Sequence, residues 1–327
     1  MAGLFNLRFR KTTAALLALL ALLVSGLGLV SAQNAADEIT VTHAQGETVV
    51  SLNPEVVLTF DLASLSTLHA LGVEVAGVPD FAFPEALEQY ASDDYLKIGS
   101  LFEPDYEAIA AADPDLIIVS ARTAAVYPDL AAIAPTIDLT IDNSDFLASN
   151  FHNAEILGEI FGLEEEVAAL EEEITTSVEL IQEATAEAGT ALIVMVSGGE
   201  VNAYGVGSRL GWIHDDLGFT PAIEDIEAAT HGEAISFEFI LEANPDWLIV
   251  LDRDVAVGEE SAAALEILDN ELVAQTTAWQ NDQVINLTPS NWYIVSGGLG
   301  ALQEMVDEVG IALGVIEVVE VEATAEA

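Results

Sequence analysis

The sequence predicts an α/β protein of two lobes, each built on a mainly parallel sheet, with one long helix joining them. Three observations predict it: a sixteen-residue segment that recurs 131 residues later, apolar runs that alternate with helical periodicity, and an uninterrupted helical stretch midway along the chain. At 327 residues the chain is long enough for two domains of ordinary size, each burying its own core.

The first element is an export segment. Arg8, Arg10 and Lys11 precede an apolar run from Thr12 to Val30, and Val30-Ser31-Ala32 offers small residues for cleavage. Residues 1–32 therefore read as a signal peptide, so the folded part is expected in the periplasm or elsewhere outside the cytoplasm. The apolar run is long, which leaves an uncleaved membrane anchor as the alternative.

Charge narrows the function. The formal net charge is −49, from 56 acidic and 7 basic residues, while 52% of the chain is hydrophobic, too much for a disordered acidic polymer. Duplex nucleic acid and anionic membrane surfaces demand a basic face that this chain does not have. Self-repulsion predicts a soluble monomer, suited to high salt or a mildly acidic habitat. With no cysteine there is no disulfide, thiolate metal site, iron–sulfur cluster, cysteine nucleophile or lipidated N-terminal cysteine. Beyond the signal peptide the basic residues are Lys97, Arg122, Arg209 and Arg253 alone. Three arginines retained in so acidic a chain are candidates for a site that holds an anion.

The repeat places two of them alike. Residues 107–122 read EAIAAADPDLIIVSAR and residues 238–253 read EFILEANPDWLIVLDR, with eight of sixteen positions identical. In each copy a short helix ends at a Pro-Asp turn, an apolar strand follows, and an arginine comes just after it. The copies belong to an N-terminal lobe, residues 39–163, and a C-terminal lobe, residues 190–314. Ligands of parallel sheets collect beyond the carboxyl ends of the strands, so Arg122 and Arg253 are expected to converge on one interlobe crevice. Local pairing with carboxylates is the plainer alternative for any single arginine.

Residues 164–188 form the expected interlobe helix, with Val167, Leu170, Ile174, Val178 and Ile181 at helical spacing and no glycine or proline before Gly189. At helical rise it spans roughly 37 Å, enough to bridge two lobes and to restrict their hinge motion. The third arginine lies in Tyr204-Gly205-Val206-Gly207-Ser208-Arg209, between the apolar run Ala191–Val196 and a helical stretch from Leu210 to Leu217. Ser208 is expected to cap that helix, and the glycines to let backbone amides approach an anion. The spacing is neither that of a P-loop nor that of a dinucleotide fingerprint. Residues 315–327 form a low-complexity acidic tail.

Five histidines, His43, His69, His152, His214 and His231, show no zinc-protease spacing. His69 and His214 fall in helical stretches, where packing explains them. His231 stands on a polar turn. Asn291-Trp292-Tyr293 enters a glycine-rich turn, and either loop aromatic has an ordinary structural reading as well.

Taken together, VVSLNPEVVLTFDLASLSTLHALGV, IGSLFEPDYEAI, GVGSRLGWIHDDLGF, HGEAISFEFILEANPDWLIVLDRD and NWYIVSGG resemble the substrate-binding proteins of siderophore ABC importers. The resemblance covers residues 39 to 314 and is strongest to binders of ferric catecholates. It implies the class III periplasmic-binding-protein fold, with two Rossmann-like lobes and a single connecting helix. It implies a non-catalytic receptor with no permanent cofactor, which captures an iron(III)-siderophore and delivers it to an ABC permease. Arg122, Arg209 and Arg253 then contact the ligand, with Trp292 as an aromatic wall and Trp212 as a weaker candidate. His231 and Tyr293 complete the coordination of iron when the siderophore supplies four donors. Glu107 and Glu238 dock on the permease, one from each lobe. Guanidinium donors suit catecholate oxygens, and phenolate suits ferric iron.

Three other readings compete. A haem or corrinoid receptor of the same fold also uses histidine and tyrosine ligands, but needs a flatter, more apolar crevice. A hydrolase lacks its nucleophile elbow at Val196-Ser197-Gly198-Gly199 and at Val295-Ser296-Gly297-Gly298. A structural surface protein has no need of the arginines and ordinarily shows more repeats.

Overall fold

Apolar runs bounded by turn residues form two separate sheets in the computed structural model, which describes residues 38–226, 228, 231–259 and 261–317. The signal peptide expected over residues 1–32, and residues 318–327 of the acidic tail, lie outside them. Strands β1 (Glu38–His43) and β2 (Gly46–Ser51) pair as a hairpin. The N-terminal sheet contains β3 (Val57–Thr59), β4 (Gly77–Val78), β5 (Leu96–Lys97), β6 (Leu116–Val119) and β7 (Thr136–Asp138). Its order is β5-β4-β3-β6-β7 and every pairing is parallel.

The C-terminal sheet contains β8 (Thr190–Ser197), β9 (Glu200–Tyr204), β10 (Thr220–Pro221), β11 (Glu233–Ile235), β12 (Trp247–Asp252) and β13 (Val284–Leu287). Its order is β11-β9-β8-β12-β13, with β10 also paired to β8. Parallel pairing holds around β8, β10, β12 and β13, but β9 runs antiparallel to both of its neighbours, β8 and β11. The cause is local: Gly198 and Gly199 take φ of 58° and 79°, the left-handed pair of a two-residue hairpin, and turn the chain straight back after β8. The fold is therefore α/β with mainly parallel sheets, as expected. The glycine turn that carries Arg209 nevertheless follows an antiparallel strand rather than the Ala191–Val196 run.

The repeat is also a repeat of structure. The helices Tyr106–Ala112 and Phe237–Ala243 are capped by Asp105 and Ser236, and both end on a left-handed residue, Asp113 at φ 51° and Asn244 at φ 41°. After the proline, Asp115 Oδ2 accepts the N–H groups of Glu55 and Val56 at 3.0 and 2.8 Å. Asp246 Oδ2 does the same to Thr190 N–H at 2.8 Å. Each Pro-Asp turn thus ties its own strand, β6 or β12, to the start of the central strand beside it, β3 or β8. The identity of eight positions records a shared joint.

The long helix runs Glu164–Thr185, three residues short of the expected end. Beyond it the backbone tightens, Ala188 N–H bonding to Thr185 O at 3.1 Å before Gly189 turns the chain. Its buried stripe of Val167, Ile174, Val178 and Ile181 packs against the helices Phe146–Phe161 and Leu299–Leu313.

The chain makes a second link near its end. In the segment Ser290–Val295, Trp292 belongs to the core that surrounds the long helix, while Ile294 and Val295 belong to the core of the N-terminal sheet. The following helix, Leu299–Leu313, has its first amides satisfied from the N-terminal lobe. Gly298 N–H donates to Asn150 Oδ1 at 2.8 Å, Leu299 N–H to Thr67 Oγ1 at 3.0 Å, and Ala301 N–H to Ser66 Oγ at 2.8 Å. Among the described residues, no helix is long and apolar enough to cross a membrane.

Candidate functional site

All three arginines reach one residue, Tyr293. Arg122 leaves the turn after β6, where Thr123 N–H bonds back to Ser120 O at 2.8 Å and Ala121 N–H donates to Thr140 Oγ1 at 2.8 Å. Its Nη2 donates to Tyr293 O at 3.0 Å and its Nη1 to Ile294 O at 3.2 Å. Arg209 Nη2 donates to the same Tyr293 carbonyl, and its Cζ lies 4.2 Å from the Tyr293 ring centroid. Arg253 opens the one-turn helix after β12, capped by Asp252, which accepts Val255 N–H at 3.1 Å. Its Nε donates to the Tyr293 hydroxyl at 3.1 Å and its Nη1 to Ser197 Oγ at 3.3 Å.

The electrostatics of the group are unbalanced. Burial pulls Arg122 below the ordinary arginine value, and it pulls Arg209 down too, with repulsion from Arg122 adding to the effect. Arg253 moves the other way, raised by its hydrogen bond to the Tyr293 hydroxyl. Among the described residues no carboxylate stands within salt-bridge distance of Arg122 or Arg209, and those of Arg253 are long, 3.7 Å to Asp254 and 3.8 Å to Glu259. In a chain this acidic carboxylates are plentiful, yet these two half-buried guanidiniums donate to backbone carbonyls instead.

The remaining expected residues fall differently. Trp292 is a correction: it is fully buried, stacked on Trp212 with ring centroids 5.1 Å apart, and its Nε1 donates to Glu308 at 2.7 Å. An indole closed in on every side offers no wall to a ligand. Trp212 stacks on Phe146 as well and belongs to the same core. Ser208 does not cap a helix, since its hydroxyl donates to Gly205 O at 2.6 Å, and the helix expected over Leu210–Leu217 shrinks to Trp212–Asp215. His231 is exposed, and no hydrogen bond joins it to the arginines among the described residues. Strand register puts it level with Gly205, because Glu233 pairs with Ala203 in antiparallel fashion. Glu107 and Glu238 occupy the same position, the second residue of the two repeated helices, and both are exposed.

Sequence reasoning missed Tyr204, whose ring lies in the same field. Burial pushes its hydroxyl up to about 12, so it stays protonated near neutral pH, against Met195 Sδ at 4.0 Å. It also missed the main-chain carbonyls of Tyr293 and Ile294, which no side-chain pattern announces. The paired glycines at 198–199 were a readable hairpin signal.

A family model described as periplasmic binding protein matches residues 57–290. The chain belongs to this family. It is 38% identical over 278 residues to the petrobactin-binding protein YclQ of Bacillus subtilis, covering 84% of this chain and 87% of that one. It is 35% identical to the ferric-anguibactin-binding protein FatB of Vibrio anguillarum, covering 83% and 86%. The crystal structure of YclQ superposes with a TM-score of 0.82 over 85% of this chain and 99% of its own. The catecholate-siderophore binding protein VctP of Vibrio cholerae, 32% identical, gives a TM-score of 0.80 over 84% and 100%. The sequence resemblance and the fold of this periplasmic binding protein therefore agree.

Proposed function

We propose that this protein captures an iron(III)-siderophore of the catecholate class outside the cytoplasm and delivers it to an ABC permease. The observation that carries the reading is the gathering of three guanidiniums from both lobes on Tyr293, two of them with no carboxylate within salt-bridge distance among the described residues. A ferric catecholate complex is a compact polyanion whose oxygens accept guanidinium hydrogen bonds, and it would replace the carbonyls that now occupy Arg122 and Arg209. Tyr293 is the candidate iron donor, its hydroxyl accepting a hydrogen bond from Arg253 Nε at 3.1 Å; His231 would join it from the turn before β11. The names of the relatives support the ligand class. The protein acts as a monomeric receptor and catalyses nothing, with the export segment at residues 1–32 sending it to the periplasm or the outer face of the membrane.

Titration with a ferric bis-catecholate tests the reading, and Trp292 beside Tyr293 supplies the fluorescent reporter. Saturable quenching at micromolar or tighter affinity is expected. No response to that complex, together with tight haem binding, would overturn it. Glu107 and Glu238 are the candidate permease contacts, so Glu107→Ala and Glu238→Ala should lower uptake into cells while leaving the titration unchanged.

A further inference from the structure

Two of the arginines stand beside the same pair of side chains, a serine and a buried aspartate, and the pair trades strands between the lobes. In the N-terminal lobe the aspartate follows central strand β3. Asp61 is 7% exposed, and its Oδ1 accepts the hydroxyl of Ser120, in the loop after β6, at 2.6 Å. In the C-terminal lobe the serine closes central strand β8 and the aspartate follows β12. Asp254 is 2% exposed; its Oδ1 lies 3.4 Å from Ser197 Oγ and its Oδ2 accepts Gly198 N–H at 2.8 Å. The strands correspond because Asp115 and Asp246 fasten onto the starts of β3 and β8, while β6 and β12 are the repeat itself. Arg122 comes two residues after Ser120, and Arg253 immediately precedes Asp254 while donating to Ser197.

We infer that Asp61 with Ser120, and Asp254 with Ser197, are positioning pairs that aim Arg122 and Arg253 at the shared site, an inference that rests on the proposed anion-binding role of those arginines. Helix capping accounts for half of Asp61, whose Oδ2 accepts Ser64 N–H at 2.9 Å and Ser64 Oγ at 2.6 Å. It leaves the bond to Ser120 unexplained, and it has no counterpart at Asp254, where Asp252 is the cap. In each lobe the bridge crosses from the central strand to its neighbour and fixes the loop from which the arginine springs. At Arg253 the serine hydroxyl accepts from Nη1 at 3.3 Å while the Asp254 carboxylate stays at 3.7 Å. In the other lobe the Ser120–Asp61 bond anchors the loop two residues before Arg122, so each arginine keeps donors directed at Tyr293. An arginine held this way loses less freedom when it binds.

Arginine-directed labelling with phenylglyoxal, mapped by mass spectrometry on the full exported protein, tests this without any ligand, since Arg122, Arg209 and Arg253 are the only arginines beyond the signal peptide. Ser120→Ala should raise the labelling rate of Arg122 about tenfold, the equivalent of one hydrogen bond to a charged group, and leave Arg209 unchanged. Ser197→Ala should do the same to Arg253. Threonine at either position should restore the wild-type rate. The serine variants spare the helix cap that Asp61→Asn would disturb, and an unchanged melting temperature confirms an intact fold. Unchanged labelling in both serine variants, or all three arginines rising together, would overturn the inference. Site-specific labelling changes in a protein that ignores the ferric bis-catecholate would instead sink the proposed ligand and leave the positioning pairs standing.

Discussion

Arg209 and Tyr293 meet twice, through a hydrogen bond to the tyrosine carbonyl and through a guanidinium set 4.2 Å from the ring centroid. Neither contact uses the hydroxyl, which accepts a hydrogen bond from Arg253 Nε at 3.1 Å. One residue thus serves three cations with three different groups. The arrangement separates chemistry from architecture and makes the hydroxyl removable.

Tyr293→Phe should therefore keep the fold and the backbone and ring contacts of Arg122 and Arg209, with a stability loss of about 1.5–3 kcal/mol at most for the lost hydrogen bond to a charged group. If the phenolate reaches iron, the visible charge-transfer band of the bound ferric catecholate shifts in this variant. An unchanged spectrum with unchanged affinity would remove Tyr293 from the coordination shell and leave the arginine cluster as the whole of the recognition.

Arg122 spans two carbonyls, Tyr293 O and Ile294 O, with its two terminal nitrogens. A lysine carries the same charge without the planar fork, so Arg122→Lys tests geometry rather than charge. Affinity for a ferric bis-catecholate should fall by about tenfold to a hundredfold, since one or two charge-assisted hydrogen bonds are lost. Isothermal titration measures it. Wild-type affinity in the lysine variant would mean that the ligand senses only net charge.

Much of this was legible in the sequence because scarcity carries information. Four basic residues among 56 acids singled out Arg122, Arg209 and Arg253, and the repeat placed two of them at strand ends. What stayed hidden followed from other physics. The antiparallel β9 depends on a two-glycine turn, a hairpin signal in the sequence whose strand partner only the fold identifies. Trp292 read as an aromatic wall for the ligand because a single loop residue shows no period, and only packing against Trp212 reveals it as core. Asp61 and Ser120 lie 59 residues apart, and nothing local announces a bond between them.

Stability should fall on mild acidification through two histidines. Burial lowers His214, whose Nδ1–H donates to Phe219 O at 2.9 Å, and lowers His43 against a smaller opposing pull from Asp138. A group whose native pKa is depressed binds fewer protons folded than unfolded, so its contribution is intact above its ordinary value of 6.5 and is lost as pH falls through the native value. His214→Gln keeps a donor for the Phe219 carbonyl and removes the titration. Its melting temperature should decline less than wild type between about pH 7 and pH 5. Asp216 works in the opposite direction at lower pH, because burial raises its carboxyl and the folded form then gains protons first. Parallel melting curves for wild type and His214→Gln across this range would refute the assignment.

Gly298 offers the sharpest test of how the last helix is joined to the N-terminal lobe. Its φ is 77°, and a Cβ there would lie 1.9 Å from Ala63 O and 2.7 Å from Ala63 C, both backbone atoms that cannot swing aside. Gly298→Ala must push the Leu299–Leu313 helix away from the helix Leu62–Ala70, breaking the bonds from Leu299 to Thr67 and from Ala301 to Ser66. Strain, clash and lost bonds together should cost about 3 kcal/mol or more, a large share of the stability of an ordinary domain. Thr67→Val removes one of those bonds alone without the clash and should cost about 1–2 kcal/mol. Urea unfolding of the two variants separates the contributions, and because the same joint carries the Tyr293 segment between the cores, Gly298→Ala should also abolish ligand binding at temperatures where it remains folded. Full binding by a destabilised Gly298→Ala would mean that the arginine cluster assembles independently of the final helix.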